Sequence, residues 1–331
     1  MTDPAYKKIL IIRFSSIGDI VLTTPVIRCL RKKFPAAEIH FLTKQSFAGI
    51  LTHNPYINKV HILGDSFELM LHELQTEGYT HIIDLHNNLR TLKVKRALKK
   101  IPCYTYRKLN IRKWLYTAFK INILPAVHIV ERYLLAATPL AVENDGMGLD
   151  YFIPETGRVK DQDIPTQHLL GYIAIVIGAA HATKRLPTEK LKELCHKVNY
   201  PVILLGGKED RPTGDEIAVQ DDVKIYNACG KFSLDESADL VRRAKLVISH
   251  DTGLMHIAAA FGKTVLSVWG NTVPEFGMYP YKTRYEVFEK KLSCRPCSKI
   301  GYDKCPRGHF RCMNDQSMEV LANRAMVLLK A

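Results

Sequence analysis

Ile9-Leu-Ile-Ile-Arg-Phe-Ser-Ser-Ile-Gly-Asp19 carries the first decision about the fold. Residues 9–14 form an apolar run of strand length. A serine turn with Gly18 follows, and then an apolar-periodic helix to about Phe34. A strand that runs through a tight turn into a helix opens a βαβ unit. Outward from it the pattern repeats. Residues 38–43, 59–63 and 81–85 read as strands, and 67–77 and 89–100 as helices. Strands alternating with helices imply a parallel sheet covered on both faces.

Between Tyr151 and Gln167 the alternation lapses into Pro-, Gly- and Asp-bearing sequence that reads as a linker. It then restarts, with strands at 172–177, 202–205, 223–226, 246–249 and 264–268. Helices follow at 191–198, 215–220, 234–244 and 254–261, and a closing helix near 317–329. The expectation is an α/β protein of two Rossmann-like, doubly wound domains facing a cleft. Residues 1–158 form the first and 159–314 the second, with a C-terminal helix over 315–331. Ligands of such sheets sit outside the carboxyl ends of the strands, at helix N-termini.

Composition sets the outer bounds. With 331 residues, 47% hydrophobic and 24% charged, the chain is globular rather than disordered. No apolar run nears the ~20 residues of a membrane span, and the start lacks a secretory signal pattern, so a cytoplasmic protein is expected. The net charge of +14 favours an anionic partner. Eleven Lys and Arg residues fall between Leu85 and Val130 without one Asp or Glu, Arg90, Lys93 and Arg96 among them. Such a block is either an interaction surface or a solvated face. It also keeps a basic nucleic-acid-binding protein in view, although no helix-turn-helix, RNA-recognition or zinc-finger pattern supports that alternative. Cys294, Cys297, Cys305 and Cys312 cluster near the end. Thiolates so spaced allow a structural zinc, but free thiols are the simpler expectation.

Four strand-end motifs carry chemistry. Ser15, Ser16 and Gly18 offer hydroxyls and amides beside Asp19, which is either a helix cap or a catalytic group. No G-x-G-x-x-G stands there, which weakens a dehydrogenase reading. Gly178-Ala-Ala-His-Ala-Thr-Lys-Arg-Leu-Pro187 either places Thr183 and Lys184 where a diphosphate would lie or is a surface loop with ordinary charges. Leu205-Gly-Gly-Lys-Glu-Asp210 presents Glu209 either to ribose hydroxyls or as first-turn helix charge. Ser249-His-Asp-Thr-Gly-Leu-Met-His256 runs a strand into Asp251, Thr252 and Gly253, whose amides open a helix. Asp251 is a cap or a sugar contact there, and His256 reads as a core histidine.

Together these stretches, with Gly230-Lys-Phe-Ser-Leu234, resemble the lipopolysaccharide heptosyltransferases, glycosyltransferase family 9, over nearly the whole chain. The resemblance implies a GT-B fold, an ADP-heptose donor, no cofactor, and metal-independent inverting transfer to the phosphorylated inner core of lipopolysaccharide. It makes Asp19 the general base, Lys184 the diphosphate contact and Asp251 the heptose contact. It gives Thr252 and Gly253 to phosphate, Glu209 to ribose and Phe232 to adenine. Thr183 and His256 join the donor set; Ser15, Ser16, Gly18, Arg90, Lys93 and Arg96 join the acceptor side. The acceptor would be anionic and lipid-linked, met at the inner face of the inner membrane, with no nucleic acid involved. Another nucleotide sugar or acceptor is the alternative within the family. Leu186 stands where the family usually has Trp, and Asp84-Leu-His-Asn-Asn-Leu-Arg90 replaces its acidic-Gln-Gly stretch. Both departures bear on the acceptor.

Overall fold

The computed structural model describes residues 7–330. Two parallel sheets organise them. In the first, β1 (Lys8–Ile12), β2 (Glu38–Lys44), β3 (Lys59–Leu63), β4 (His81–Asp84) and β5 (Cys103–Thr105) lie in the order β3-β2-β1-β4-β5. In the second, β6 (Ile173–Val176), β7 (Val202–Leu205), β8 (Ile225–Asn227), β9 (Leu246–His250), β10 (Val265–Trp269) and β11 (Tyr285–Glu289) lie in the order β11-β10-β9-β6-β7-β8. The central strands are buried on both faces, which is why they read as unbroken apolar runs.

Each order reverses once, between β1 and β4 and between β6 and β9. At those switch points the helices on either side of the sheet leave a crevice beyond the strand ends. Register brings Ile12 beside Asp84 in the first sheet and Val176 beside Ser249 in the second. The loops that carry the strand-end motifs therefore emerge side by side. Leu10, Ile12, Leu42, Leu74, Ile82 and Val94 centre one core. Ile175, Leu191, Leu204, Ile248, Leu266 and Leu321 centre the other.

The chain divides differently from the expected 158/159 boundary. Among the described residues, the first compact unit holds 7–108 and 127–152, and the second holds 109–126 and 153–330. Three sets of contacts account for this. The short turns over 155–163 are tied to the helix Leu234–Arg243: Val159 N–H donates to Asp239 Oδ2 (3.1 Å), and Arg243 donates to Val159 O (3.0 Å). The helix Asn110–Phe119 rests on the second unit, where the Lys120 ammonium just beyond it donates to Pro296 O (2.8 Å). The closing helix Met318–Lys330 does not stand apart. Its Met318, Leu321, Ala322 and Ala325 complete the second core. The basic stretch is thus shared: residues up to Lys108 belong to the first unit, and Arg112, Lys113 and Lys120 to the second.

Candidate active site

In the first unit, Ser16 is the N-cap of a one-turn helix, Ile17–Val21, and Asp19 is its third residue. Asp19 is therefore not the cap. It closes a capping box, accepting from Ser16 N–H (3.2 Å) and the Ser16 hydroxyl (2.8 Å) through Oδ2. Its Oδ1 lies 2.7 Å from Arg13 Nη2. Arg13 is buried and spends its other donors on Ser15 O (2.8 Å) and Leu85 O (2.6 Å), with its guanidinium over the Tyr133 ring. Burial pushes the Asp19 carboxyl up. The Arg13 charge and the Ser16 donors outweigh it and hold the group below the ordinary carboxylate range. The result is a partly exposed, ionised carboxylate held at two oxygens, with Ser15 and Gly18 in the same turn.

The neighbouring strand end is built around Asp84. This fully buried carboxylate accepts from His86 N–H (3.0 Å) and Asn87 N–H (2.7 Å) and pairs with Lys95 (2.9 Å). It fixes the loop that leads to Asn88, the N-cap of the helix Leu89–Ala97. Arg90, Lys93 and Arg96 stand exposed on that helix, whereas Lys95 is taken by Asp84. His86 beside them is pushed down to about 4 by burial and by Arg13 and Lys108, so it is neutral at pH 7.

In the second unit, the loops after β6 and β9 meet. Lys184 Nζ donates to Asp251 Oδ2 (2.6 Å) and to Asp251 O (3.3 Å), and the Thr272 hydroxyl donates to the same carboxylate oxygen (3.1 Å). Thr252 caps the helix Gly253–Ala260, whose first amides have no partner within the helix. A cation, a carboxylate and a set of amide donors so converge at the switch point. Three groups hold them there. His250 Nε2 accepts from Leu186 N–H (2.9 Å), and burial pushes that imidazole down to about 3. Thr183, buried, exchanges hydrogen bonds with the Tyr302 backbone through its hydroxyl (2.8 and 3.0 Å), which makes it a loop anchor. Asp210 accepts from Gly207 N–H (2.9 Å) and pairs with Arg185 (3.2 Å). Any side chain at Gly178 would meet Asp210, since a Cβ there lies 2.0 Å from its Oδ2.

The remaining donor candidates lie along the same sheet edge. Glu209 is exposed in the loop after β7, and Phe232 is half-buried in the loop after β8. These loops touch at Gly230 (φ +65°), where a Cβ would come 2.7 Å from Lys208 Cα. His256 is enclosed within the second unit and offers no surface to a ligand. Sequence reading missed Arg13, Thr272, Asp210 and His250 as parts of these sites. Each was visible as a residue, but its partner is fixed only by the strand register.

The four clustered cysteines lie close enough near the end of the second unit for their thiols to influence one another. Cys294 Sγ lies 3.9 Å from His309 Nε2, the Cys297 thiol donates to Cys294 O (3.1 Å), and Cys312 is buried. Burial and the neighbouring Cys294 push the Cys297 thiol up to about 11. Among the described residues, three metal-ligating side chains converge within 4.8 Å only at His40, His61 and Glu77. There Lys8 and Lys59 already hold both oxygens of Glu77, at 2.5 and 2.6 Å.

Two doubly wound parallel sheets, each with its polar groups at the switch-point loops, make up a GT-B type fold. The sequence model of glycosyltransferase family 9 (heptosyltransferase) matches residues 69–305, and the chain belongs to that family. It is 25% identical to lipopolysaccharide heptosyltransferase 1 of Campylobacter coli, covering 80% of this chain and 84% of that one. It is 27% identical to lipopolysaccharide heptosyltransferase 3 of Escherichia coli K12, covering 77% and 80%. The crystal structure of a family 9 glycosyl transferase from Veillonella parvula superposes with a TM-score of 0.79 at 24% identity, over 99% of this chain and 98% of that one.

Proposed function

We propose that this enzyme moves heptose from ADP-heptose, with inversion, to the phosphorylated inner core of lipopolysaccharide. The observation that carries the reading is the Lys184–Asp251 pair at the mouth of the Gly253–Ala260 helix. When a diphosphate arrives, it competes for Lys184, and the helix amides add donors for its oxygens. Asp251, released from the lysine, is then free to accept from sugar hydroxyls. Glu209 takes ribose hydroxyls and Phe232 lies by the adenine. In the first unit, Asp19 accepts the proton of the acceptor hydroxyl as its oxygen attacks the anomeric carbon. The new C–O bond forms as the bond to ADP breaks, on the opposite face. The departing charge falls to Lys184 and the amides. The reading assigns the protein no resident metal or cofactor.

The acceptor is anionic and lipid-linked, so the exposed Arg90, Lys93 and Arg96 bind its phosphates. The enzyme works in the cytoplasm, peripherally at the inner face of the inner membrane. Thermal shifts with ADP-, GDP- and UDP-sugars test the donor: stabilisation by ADP-heptose above the others is expected. A stronger response to a UDP- or GDP-sugar would replace the donor and leave the family role intact.

A further inference from the structure

The helix Asn110–Phe119 has no buried residue. At 100° per residue its two sides are sharply different. Lys113, Tyr116 and Lys120 share the inner side: Lys113 Nζ lies 5.1 Å over the Phe276 ring, Tyr116 packs edge-on against that ring, and Lys120 reaches Pro296 O. Ile111, Trp114, Leu115, Ala118 and Phe119 fill the opposite arc of about 140° without a polar residue. Ile111 is 75% exposed, Trp114 53% and Phe119 59%. The chain continues apolar and exposed through Ile121 and Ile123. A monomeric soluble protein rarely leaves so much contiguous apolar surface in water without a use for it.

Charge says what covers it. From Leu85 to Val130 the sequence has no carboxylate, and Arg112 stands exposed beside the apolar arc. A concavity of about 590 Å3 lies against the same helix, lined by Thr117 and Lys120 on one side and by Arg307, His309 and Arg311 of the cysteine loop on the other. None of the donor residues lines it. Exposed Ile300 belongs to that loop. On the outer arc, aromatic and aliphatic groups flanked by cations, on a segment with no carboxylate of its own, match the boundary of an anionic bilayer, while Glu275 and Glu289 lie by Tyr116 on the inner side.

We propose that this helix is an interfacial anchor that seats the donor-binding unit on an anionic lipid surface. The anchor is carried by the second unit, although its sequence lies among the first unit's elements. The proposal rests on the reading that the acceptor is lipid-linked, and it adds where the enzyme touches the lipid.

The chain reports on itself. Of its two tryptophans, Trp269 is buried and donates to Ser267 Oγ (3.0 Å), so Trp114 alone is open to a membrane. The full chain is mixed with vesicles of equal phosphatidylglycerol and phosphatidylcholine. A blue shift of tryptophan emission and quenching by brominated acyl chains are expected, and neither with phosphatidylcholine alone. Trp114→Phe should float with the vesicles but lose both signals. Trp114→Ala with Phe119→Ala should lower vesicle partition about tenfold or more. Flotation of the native chain without any Trp114 signal would overturn the proposal. So would a lipid-independent shift that tracks protein concentration, which would mark a second copy as the occupant. Transfer to a deacylated, soluble acceptor is measured in parallel and should be unchanged in the double variant. Its absence in the native chain would count against the transfer reading, whatever the vesicles show.

Discussion

Asp19→Asn separates a base from a structural carboxylate. The native group receives three donors: Arg13 Nη2 at Oδ1, and Ser16 N–H and Oγ–H at Oδ2. The amide keeps an oxygen for Arg13, and the Ser16 hydroxyl can turn to accept from the new NH2. Only Ser16 N–H then loses its partner, and Arg13 keeps Ser15 O, Leu85 O and Tyr133. Arg13 keeps its hydrogen bonds but loses its counter-charge, so the cost in stability is about 3 kcal/mol, at the low end for a broken buried pair because Asp19 is partly exposed. Activity should fall much further. General-base catalysis contributes about 10²–10⁴-fold. A carboxylate held below its ordinary range by Arg13 takes the proton late, when the hydroxyl is already losing it, so the loss sits in the lower half of that span.

The assay pairs turnover with ADP titration and an unfolding curve. Turnover should drop at unchanged ADP affinity. The native pH profile follows from the same contacts. Because Asp19 is held low, its ionised form persists in acid, and the acidic limb of activity should lie below the ordinary carboxylate range. The Arg13–Asp19 pair is a stabilising contribution fully present above the unfolded carboxylate value and lost as pH falls through the lower folded one. Near-native turnover of Asp19→Asn, with donor binding intact, would leave Asp19 as the partner of a capping box and refute its role as base.

Asp251→Ala should free Lys184 and so leave ADP affinity equal or tighter by calorimetry, while ADP-heptose loses about tenfold relative to ADP, the worth of one or two hydroxyl contacts; a parallel change in both would sink the sugar assignment. Neutralising Lys93, Arg96, Lys99 and Lys100 together, all exposed, should raise the acceptor KM severalfold and leave donor affinity alone, with the difference shrinking as salt rises. Unchanged acceptor kinetics at low salt would reduce that helix to a solvated face. His250, pushed down to about 3 by burial, binds its proton only in the unfolded chain between there and about pH 6.5, so stability should decline as pH falls through that window. Denaturant curves at several pH values should show a shallower decline for His250→Gln, and an identical slope would show that another group titrates.

How much of this was legible depends on where a residue's partner lies. The central strands announced themselves because a parallel strand covered on both faces is an unbroken apolar run, as in Ile9–Ile12 or Val202–Leu205. The edges did not. β5 is three residues long, and β11 alternates Tyr285, Glu286, Val287, Phe288 and Glu289 with no fully buried position, so neither carries that signature. The helix Asn110–Phe119 escaped for a related reason: its apolar side faces no core, and its cations drew attention to charge instead of period. In the candidate sites, strand-end placement singled out Asp19, Lys184 and Asp251 as candidates. Their pairings were out of reach. Lys184 and Asp251 are 67 residues apart and meet only because β6 and β9 are adjacent, with Val176 level with Ser249. Glu209 and Asp210 show the limit most sharply. Two neighbouring carboxylates follow the same glycines, and local sequence cannot say which turns inward. The capping geometry of a single turn directs Asp210 into the protein, where it holds the loop against Gly178, and leaves Glu209 facing solvent.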